Sequence, residues 1–523
     1  MQQSFEQRWR EARMLENRGQ TAAAKTIYET LLAEDPHRLY VRMRLSLMEQ
    51  EAGQYRRARE HALDMVATVT RGRWEDLVPV ARRLLTFDEH AQACDLILGA
   101  DWSSRAVLAG APALSQYLCL GDCIPEGLRL AEAAIAAGML DPASSYARAN
   151  ALRYAGRADE ASAEYERCLA MRPGYPLAHW SLAYHQKSAV PGARIDRLRA
   201  ALNACAEESE RVYLHYALFK EYDDAGDTDQ AWSHLSAGMA IKRTSVPYDA
   251  AEEEAGFEAL LRENMGAYAD ARGEDGSEAT PLFVVGMPRT GTTLLERILG
   301  AHSLVAAAGE LRDFGAALSF ESDRFLADFI KPSAVSALMD IDPSRVGRRY
   351  AERTRYRAKG KPFFIDKHPM NFVHVGHILR ALPRAKVLCM TRSPMDACFS
   401  NLKELFPSQV YGYSYDLDEL ARHYARFDRL RRHWAELAPD RFHVVEYERL
   451  VTDPAETARA LMSFCGLPFE AQCIDITRNA APVSTASSSQ VRQPIHARGV
   501  GAWRRYGEYL EPLRARLESA GFH

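Results

Sequence analysis

The segment GMPRTGTT at residues 286–293 follows the apolar run PLFVV and has the outline of a phosphate-binding loop. Its glycines permit a tight turn from a strand into a helix, and backbone N–H groups at the helix start bind anions. Nucleotide triphosphatases add a lysine for the β- and γ-phosphates and a carboxylate for magnesium. Thr292 stands in place of that lysine, and Arg289 is the cation inside the loop. The pattern therefore indicates a nucleotide whose 5′ group is short, of low charge and bound without metal.

A second candidate anion site follows the apolar run KVLCM at 386–390. Arg392 comes at the end of this run, and Ser400 lies eight residues further on. Ligands of open α/β sheets bind at the carboxyl ends of the strands, where Arg392 and Ser400 can hold a second phosphate. The sequence therefore predicts two phosphate sites at one sheet edge.

Two further segments supply polar side chains that suit catalysis. FFIDKHPMNF places Lys367 and His368 directly after an apolar run, and AAAGELRDF supplies Glu310 and Arg312. Neighbouring strand residues point to opposite faces, so Lys367 and His368 are expected to serve different roles.

The elements that position these residues are predicted from short β-rich runs that alternate with helical stretches. These runs are LFVV at 282–285, FFI at 363–365, KVLCM at 386–390 and FHVV at 442–445. Strands separated by helices predict a parallel sheet covered on both faces.

The first half of the chain predicts an α-solenoid of tetratricopeptide-like helix pairs. Gly, Ala, Tyr and Pro recur at the same offsets in residues 19–36 and 156–173. The alanine position must be small because two helices cross closely there, and the proline ends the second helix. A generic helical bundle is the alternative, and residues 75–140 are too degenerate to assign to repeats. The predicted domains are a repeat domain at 1–245, a connecting helix and linker at 246–280, and an α/β P-loop-like domain at 281–523.

Composition excludes several classes of protein. The chain has 523 residues, a formal net charge of -4 and 26% charged residues, which does not suit a nucleic-acid-coating protein. No apolar run approaches the roughly 18 residues of a membrane span. The nine cysteines lack the spacing of a structural zinc site and favour reduced thiols in a cytoplasmic protein.

Residues 281–510 resemble sulfotransferases that use 3′-phosphoadenosine 5′-phosphosulfate (PAPS). The resemblance is to bacterial tetratricopeptide-sulfotransferase proteins and, more distantly, to tyrosylprotein sulfotransferases. It rests on seven motifs that occur in the family's order, PRTGTT, GELR, DKHP, TRSPMDACFS, VVEYERL, SSSQVRQP and RGVGAW. The expected activity is transfer of a sulfuryl group from PAPS, as co-substrate and without a required metal, to a hydroxyl acceptor.

The resemblance also implies a donor-binding set. Arg392 and Ser400 are expected at the 3′-phosphate, Tyr447 at the adenine, and Arg498 at the C-terminal contact, because Ala502 replaces a residue that is often basic in the family. The 5′-phosphosulfate is expected at the loop residues Arg289, Thr290, Gly291, Thr292 and Thr293.

The implied catalytic residues are Glu310, Lys367 and Ser487. Lys367 would stabilise charge on the bridging oxygen of the leaving 3′,5′-bisphosphoadenosine, and Glu310 would accept the proton of the acceptor hydroxyl. A carboxylate in a closed site can have its pKa raised toward the working range. Ser487 falls where the tyrosylprotein enzymes place a serine near the transferring group. His368 occupies a position that is often methionine in bacterial relatives, and it is the alternative base.

The function classes left open are a P-loop nucleotide kinase and a non-catalytic nucleotide-binding scaffold built on the repeats. The acceptor is expected to be a peptide or protein tyrosine held by the repeats, with a saccharide or small phenol as alternatives. The surface of the repeats suits homodimerisation equally well. A nucleic-acid partner is not expected. Because each half is expected to have its own core, residues 1–270 should be dispensable for nucleotide binding.

Overall fold

The fold is described from a computed structural model, and its contacts divide the chain into two compact units. The first unit comprises Met1–Arg157 and Leu318–Leu326, and the second comprises Ala158–Ala317 and Ala327–His523. The structure describes residues 4–70, 72–262, 276, 278–326, 331–478 and 494–522.

In the described residues, ten α-helices form the part of the first unit that precedes residue 158, and the later segment Leu318–Leu326, here called the return segment, completes the unit. They are α1 (Phe5–Asn17), α2 (Thr21–Glu34), α3 (Leu39–Glu51), α4 (Tyr55–Asp64), α5 (Val66–Val69), α6 (Leu77–Leu85), α7 (His90–Leu98), α8 (Arg105–Leu120), α9 (Ile124–Ala136) and α10 (Pro142–Tyr154). Gly19 and Gly53 take positive φ values of 75° and 76° at the turns within helix pairs. Ala24 and Tyr28 of α2 are fully buried, as the repeat pattern predicts. The tetratricopeptide-like prediction is confirmed.

The return segment Leu318–Leu326 packs among the helices of this first unit. The side chain of Arg56 donates through Nε to the carbonyl of Phe320 at 2.8 Å. The ring of Phe325 lies 5.0 Å from that of Tyr55 and 5.8 Å from that of Phe87. These aromatic contacts join the segment to a buried apolar cluster of the unit, which includes Tyr55 and Phe87.

The second unit begins with six more helices, of which the last, α16, lies in the segment predicted to connect the repeats with the sheet. They are α11 (Ala158–Met171), α12 (Pro176–His185), α13 (Ile195–Ala204), α14 (Glu208–Ala225), α15 (Thr228–Ser245) and α16 (Ala250–Arg262). Gly226 ends α14 with a φ of 89°, and Ala231 in α15 is fully buried at the small-residue position. The predicted linker at 271–280 lies mostly outside the described residues.

A five-stranded parallel sheet follows these helices. Its strands are β1 (Thr280–Gly286), β2 (Val305–Ala307), β3 (Phe363–Lys367), β4 (Lys386–Thr391) and β5 (Phe442–Glu446). The strand order is β2-β3-β1-β4-β5, with β1 in the centre and every neighbouring pair parallel. The predicted parallel sheet is therefore confirmed, and β2 is the strand that the sequence analysis missed.

Ten further helices accompany the sheet in the described residues. They are α17 (Thr292–Gly300), α18 (Asp313–Ser322), α19 (Pro332–Met339), α20 (Pro343–Thr354), α21 (Val375–Ala381), α22 (Pro394–Leu402), α23 (Leu417–Leu437), α24 (Tyr447–Thr452), α25 (Pro454–Cys465) and α26 (Glu511–Ser519). Apolar residues of α17 and α25 pack with Leu282, Val284 and Leu388 of the sheet in one buried cluster.

Within the second unit, α14–α16 pack on helices that follow the sheet's fourth strand. Tyr216 of α14 is fully buried and donates to the carbonyl of Leu402 at 3.3 Å. Arg426 of α23 is buried and donates to Glu253 and Glu254 of α16, each at 2.5 Å. The boundary expected near residue 245 lies inside this unit, and as a limit between independently folding parts it stays a prediction.

Candidate active site

The loop between β1 and α17 is shaped by close backbone approaches. Gly286 has a φ of 144°, and a Cβ there would lie 2.5 Å from the carbonyl oxygen of Met390 on the neighbouring strand. Gly291 has a φ of 107°, and a Cβ there would lie 2.6 Å from the ring of Tyr447. Both positions therefore require glycine. The first N–H groups of α17, which begins at Thr292, follow directly after this turn.

Side chains hold the loop in this conformation. The Thr290 hydroxyl donates to the carbonyl of Met287 at 2.7 Å. Asn401, which is buried on α22, donates through Nδ2 to the carbonyl of Pro288 at 2.8 Å. Arg289 has a positive φ of 64°, and its Nε lies 3.4 Å from Oε2 of Glu404. These contacts with Asn401, with Glu404 and within the loop itself hold its backbone in this conformation.

Arg392 connects the loop with the other predicted donor-binding residues. One guanidinium nitrogen, Nη1, donates to the Ser400 hydroxyl at 2.9 Å and to the carbonyl of Arg289 at 3.2 Å. The guanidinium lies 4.7 Å from the centre of the Tyr447 ring. The side chain is 8% exposed, and its Nε has no hydrogen-bond partner among the described residues. The structure brings these four residues into one cluster.

The C-terminal RGVGAW segment closes over this cluster. Arg392 donates through Nη2 to the carbonyl of Gly499. Asp396 on α22 accepts from the backbone N–H of Gly501 at 2.7 Å, which anchors the segment. Arg498 is exposed and immediately precedes Gly499. Asp396 was not predicted from the sequence, because its spacing does not show that it accepts an N–H group 105 positions away.

Glu310 and Lys367 form an ion pair at the carboxyl end of β3. Nζ of Lys367 donates to Oε1 of Glu310 at 2.5 Å. Lys367 is fully buried, whereas the Glu310 side chain keeps 46% of its surface exposed. Lys367 is in register with Val284 of β1, and Gly286 of β1 is in register with Met390 of β4. The pair and the Arg392 cluster therefore lie along the same edge of the sheet.

The pKa of Glu310 moves in the direction opposite to the expected one. The surrounding protein disfavours the charged carboxylate, but the charges of Lys367 and His368 outweigh this effect and hold its pKa below the ordinary value. His368 is buried next to Lys367 and stays the alternative candidate for the base.

A second buried carboxylate belongs to this region and was missed from the sequence. Glu296 of α17 accepts the backbone N–H of Gly309 through Oε1 at 3.1 Å, and its Oε2 lies 3.9 Å from Nζ of Lys367. Two charged residues, Glu296 and Arg297, within the apolar run LLERIL were the available signal.

The acid that precedes Lys367 is also buried. Asp366 accepts from the Tyr350 hydroxyl at 2.9 Å, and burial raises the pKa of the Asp366 carboxyl to about 8.

Of the predicted catalytic residues, Ser487 lies outside the described residues. Among the residues that the structure does describe, no group of three or more His, Cys, Asp and Glu side chains could hold a metal ion.

The sequence of this region matches a family model. Residues 281–471 match the model described as the sulfotransferase family. We call these residues the sulfotransferase domain, after the model that they match. The match covers the phosphate loop, Glu310, Lys367, Arg392, Ser400 and Tyr447.

Two relatives align over more residues than the sulfotransferase domain contains. An uncharacterised protein of Aquifex aeolicus is 30% identical over 328 residues, which is 61% of this chain and 43% of that protein. A protein-tyrosine sulfotransferase of Drosophila melanogaster is 22% identical over 235 residues, which is 42% of this chain and 46% of that protein. The chain thus spans less than half the length of these two relatives. The sulfotransferase domain of a Synechococcus olefin synthase aligns at 19% identity with a TM-score of 0.33, over 44% of this chain and 90% of that domain.

Among the helices of the described residues, none is both long and apolar enough to cross a membrane. None of the nine cysteines, all of which are among the described residues, is placed in a disulfide.

Proposed function

We propose that this protein transfers the sulfuryl group of PAPS to a hydroxyl group of a peptide or protein. The observation that carries this proposal is the Lys367–Glu310 pair at 2.5 Å, which lies at the sheet edge that also carries the glycine loop and the Arg392 cluster. A cation for the leaving oxygen and a carboxylate for the incoming hydroxyl are the two groups that such a transfer needs.

The residues of the loop and of the Arg392 cluster fit a nucleotide with phosphates at two positions. The N–H groups at the start of α17 suit the 5′-phosphosulfate, since a helix N-terminus binds anions. Arg392 has a buried Nε without a partner among the described residues, and Ser400 lies at its side, which supports a 3′-phosphate at this place. The ring of Tyr447 offers an apolar face for the adenine. Thr292, as the first residue of α17, leaves the loop without the lysine that a triphosphate requires.

The reaction needs the Lys367–Glu310 pair to separate. Lys367 would donate to the bridging oxygen of the donor, where negative charge develops as the S–O bond breaks. The acceptor oxygen would form the new S–O bond while its proton passes to Glu310. The products are the sulfated acceptor, 3′,5′-bisphosphoadenosine and one proton, which leaves from Glu310.

Separation of this pair also strengthens the base. Lys367 holds the pKa of Glu310 down while the two are in contact, so movement of Lys367 toward the donor raises that pKa. A carboxylate with a higher pKa is a better proton acceptor for a phenol with a pKa of about 10. Donor binding would therefore prepare Glu310 for the acceptor.

A tyrosine acceptor is supported by the relatives. The Drosophila protein and others of similar identity are named protein-tyrosine sulfotransferases. The exposed part of Glu310 leaves room for an approaching hydroxyl. Saccharides and small phenols are the alternatives that a test must include.

The test is transfer of labelled sulfate from PAPS to peptide, saccharide and phenol acceptors. Glu310→Gln is expected to lower the rate by roughly 10²–10⁴ while bisphosphoadenosine still binds, because only the proton acceptor is lost. Lys367→Ala should lower the rate by roughly 10²–10³ because the leaving oxygen loses its donor. Acidic phenols should recover much of the Glu310→Gln loss but not the Lys367→Ala loss. His368→Asn is the matched control and should cost much less.

Three results would contradict the proposal. Near-normal turnover in Glu310→Gln with an inactive His368→Asn variant would make the histidine the base. Thermal stabilisation by ATP and Mg²⁺ but not by bisphosphoadenosine would favour a kinase. Stabilisation by bisphosphoadenosine without transfer to any acceptor would favour a nucleotide-binding scaffold.

A further inference from the structure

Glu296 is a buried carboxylate that the reaction outlined above does not use. It lies on α17, the helix whose first turn follows the phosphate loop, and is 8% exposed. Its two carboxylate oxygens have different neighbours. Oε1 accepts the backbone N–H of Gly309 at 3.1 Å, and Oε2 lies 3.9 Å from Nζ of Lys367. Glu296 therefore touches both the residue that precedes the base and the lysine that serves the leaving group.

The charges around Glu296 come from three elements. Lys367 lies on β3, Glu310 follows β2, and Arg297 is the next residue on α17. Burial raises the pKa of the Glu296 carboxyl above its ordinary value, and the charge of Glu310 adds to this effect, whereas Lys367 and Arg297 oppose it. The ionisation of Glu296 is thus coupled to that of Glu310.

We infer that Glu296 is a positioning residue that serves as the counter-ion of Lys367 during sulfuryl transfer. This inference rests on the proposed function. It concerns the stage at which Glu310 has accepted a proton and no longer balances the charge of Lys367.

The need for a second counter-ion follows from the burial of Lys367. Burial of an ammonium group is costly unless anions balance its charge, and the leaving oxygen gains its full negative charge only as the S–O bond breaks. Once Glu310 is protonated, its repulsion of Glu296 disappears, so the charged form of Glu296 becomes more favourable. The carboxylate 3.9 Å from Nζ then balances part of the charge of Lys367 while the lysine donates to the leaving oxygen.

The hydrogen bond to Gly309 gives Glu296 a competing role that is purely structural. Glu296→Gln separates the two roles, because the amide oxygen can still accept the Gly309 N–H while the negative charge is lost. Glu296→Asp keeps the charge on a shorter side chain. Glu352→Gln removes one exposed carboxylate from α20 and is the matched control.

The experiment measures kcat and the KM for PAPS for the full-length variants. Glu296→Gln is expected to lower kcat by about tenfold or more, with the dissociation constant for bisphosphoadenosine changed less than about twofold. Glu296→Asp should recover most of the lost kcat, and the KM for PAPS should change little in both variants, because the counter-ion acts while the S–O bond breaks rather than in donor binding. Glu352→Gln should match the wild type in each measurement.

The outcomes separate this inference from the proposed function. A wild-type protein that binds bisphosphoadenosine but transfers no sulfuryl group overturns the proposed function and the inference together. An active wild type with unchanged kcat in Glu296→Gln overturns the inference alone and leaves a structural hydrogen bond. If thermal unfolding shows that the glutamine variant does not fold, Glu296→Asp decides. Its retained charge must keep kcat within about threefold of the wild type, and a loss of about tenfold or more refutes the role.

Discussion

We expect the sulfotransferase domain to fold only together with helices α11–α16. Two truncated proteins are compared, one that begins at residue 158 and one that begins at residue 276. The first keeps α11–α16, which belong to the same compact unit as the sheet. The second removes them. We expect the protein that begins at residue 276 not to fold, and the one that begins at residue 158 to fold and bind bisphosphoadenosine.

The magnitude follows from what the deleted helices cover. Arg426 is buried and pairs with Glu253 and Glu254, so their removal leaves an unpaired buried charge, which costs about 3–5 kcal/mol. Phe372 and Tyr413 lose the covering rings of Phe257 and Tyr248, at about 1.5–3 kcal/mol for each large apolar side chain that becomes exposed. These losses together match the roughly 5–15 kcal/mol that stabilises a typical domain.

Circular dichroism and thermal unfolding report the folding of both truncated proteins, and calorimetry reports nucleotide binding. A point variant isolates the electrostatic part, since Arg426→Ala in the full-length chain should lower the melting temperature by several degrees. The reasoning fails if the protein that begins at residue 276 unfolds cooperatively and binds bisphosphoadenosine as tightly as the full-length chain. That result would support the boundary near residue 245 that the sequence pattern favours.

Two further predictions concern the site. Arg392→Ala should weaken bisphosphoadenosine binding by roughly 10–10²-fold, since a charge-assisted hydrogen bond contributes about 1.5–3 kcal/mol. Calorimetry with the exposed Arg459→Ala variant as control checks this, and unchanged affinity would remove Arg392 from the binding site. Asp366→Asn should remove a pH dependence of stability. The folded-state pKa of Asp366 is raised to about 8, so the wild type loses stability as pH rises from about 4 to 8. The melting temperature of Asp366→Asn should therefore exceed that of the wild type most at pH 8, and parallel curves for the two proteins would contradict the assignment.

The sequence predicted the elements that carry their own local signal. The runs 282–285, 363–365, 386–390 and 442–445 all lie in strands of the sheet, and each could be predicted because it is short and mostly apolar and is separated from the next by a helical stretch. The glycine, alanine and tyrosine offsets predicted the repeat helices, because a close helix crossing accepts only a small residue. Strand β2 has only three residues, Val305–Ala307. A run of this length shows no periodicity that distinguishes a strand from the neighbouring loop.

The features that sequence reasoning missed depend on tertiary contacts. Nothing in the spacing of α17 shows that Glu296 meets a glycine N–H on one side and a lysine of β3 on the other. The packing of α16 on α23 through Arg426 joins residues about 170 positions apart, which periodicity does not report. The lowered pKa of Glu310 likewise follows from a contact with Lys367 rather than from enclosure alone.

The cations of the site are paired with carboxylates of the protein itself. Lys367 contacts Glu310 at 2.5 Å, and the Nε of Arg289 lies 3.4 Å from Glu404. A donor anion must therefore compete with internal ion pairs, which lowers its affinity relative to a site of uncompensated charge. The same competition has a benefit for the proposed reaction, because the anion that draws Lys367 away leaves Glu310 as a free and stronger base. Binding energy of the nucleotide would thus be used to prepare the acceptor side of the site, and the base would be held inactive until the donor is bound.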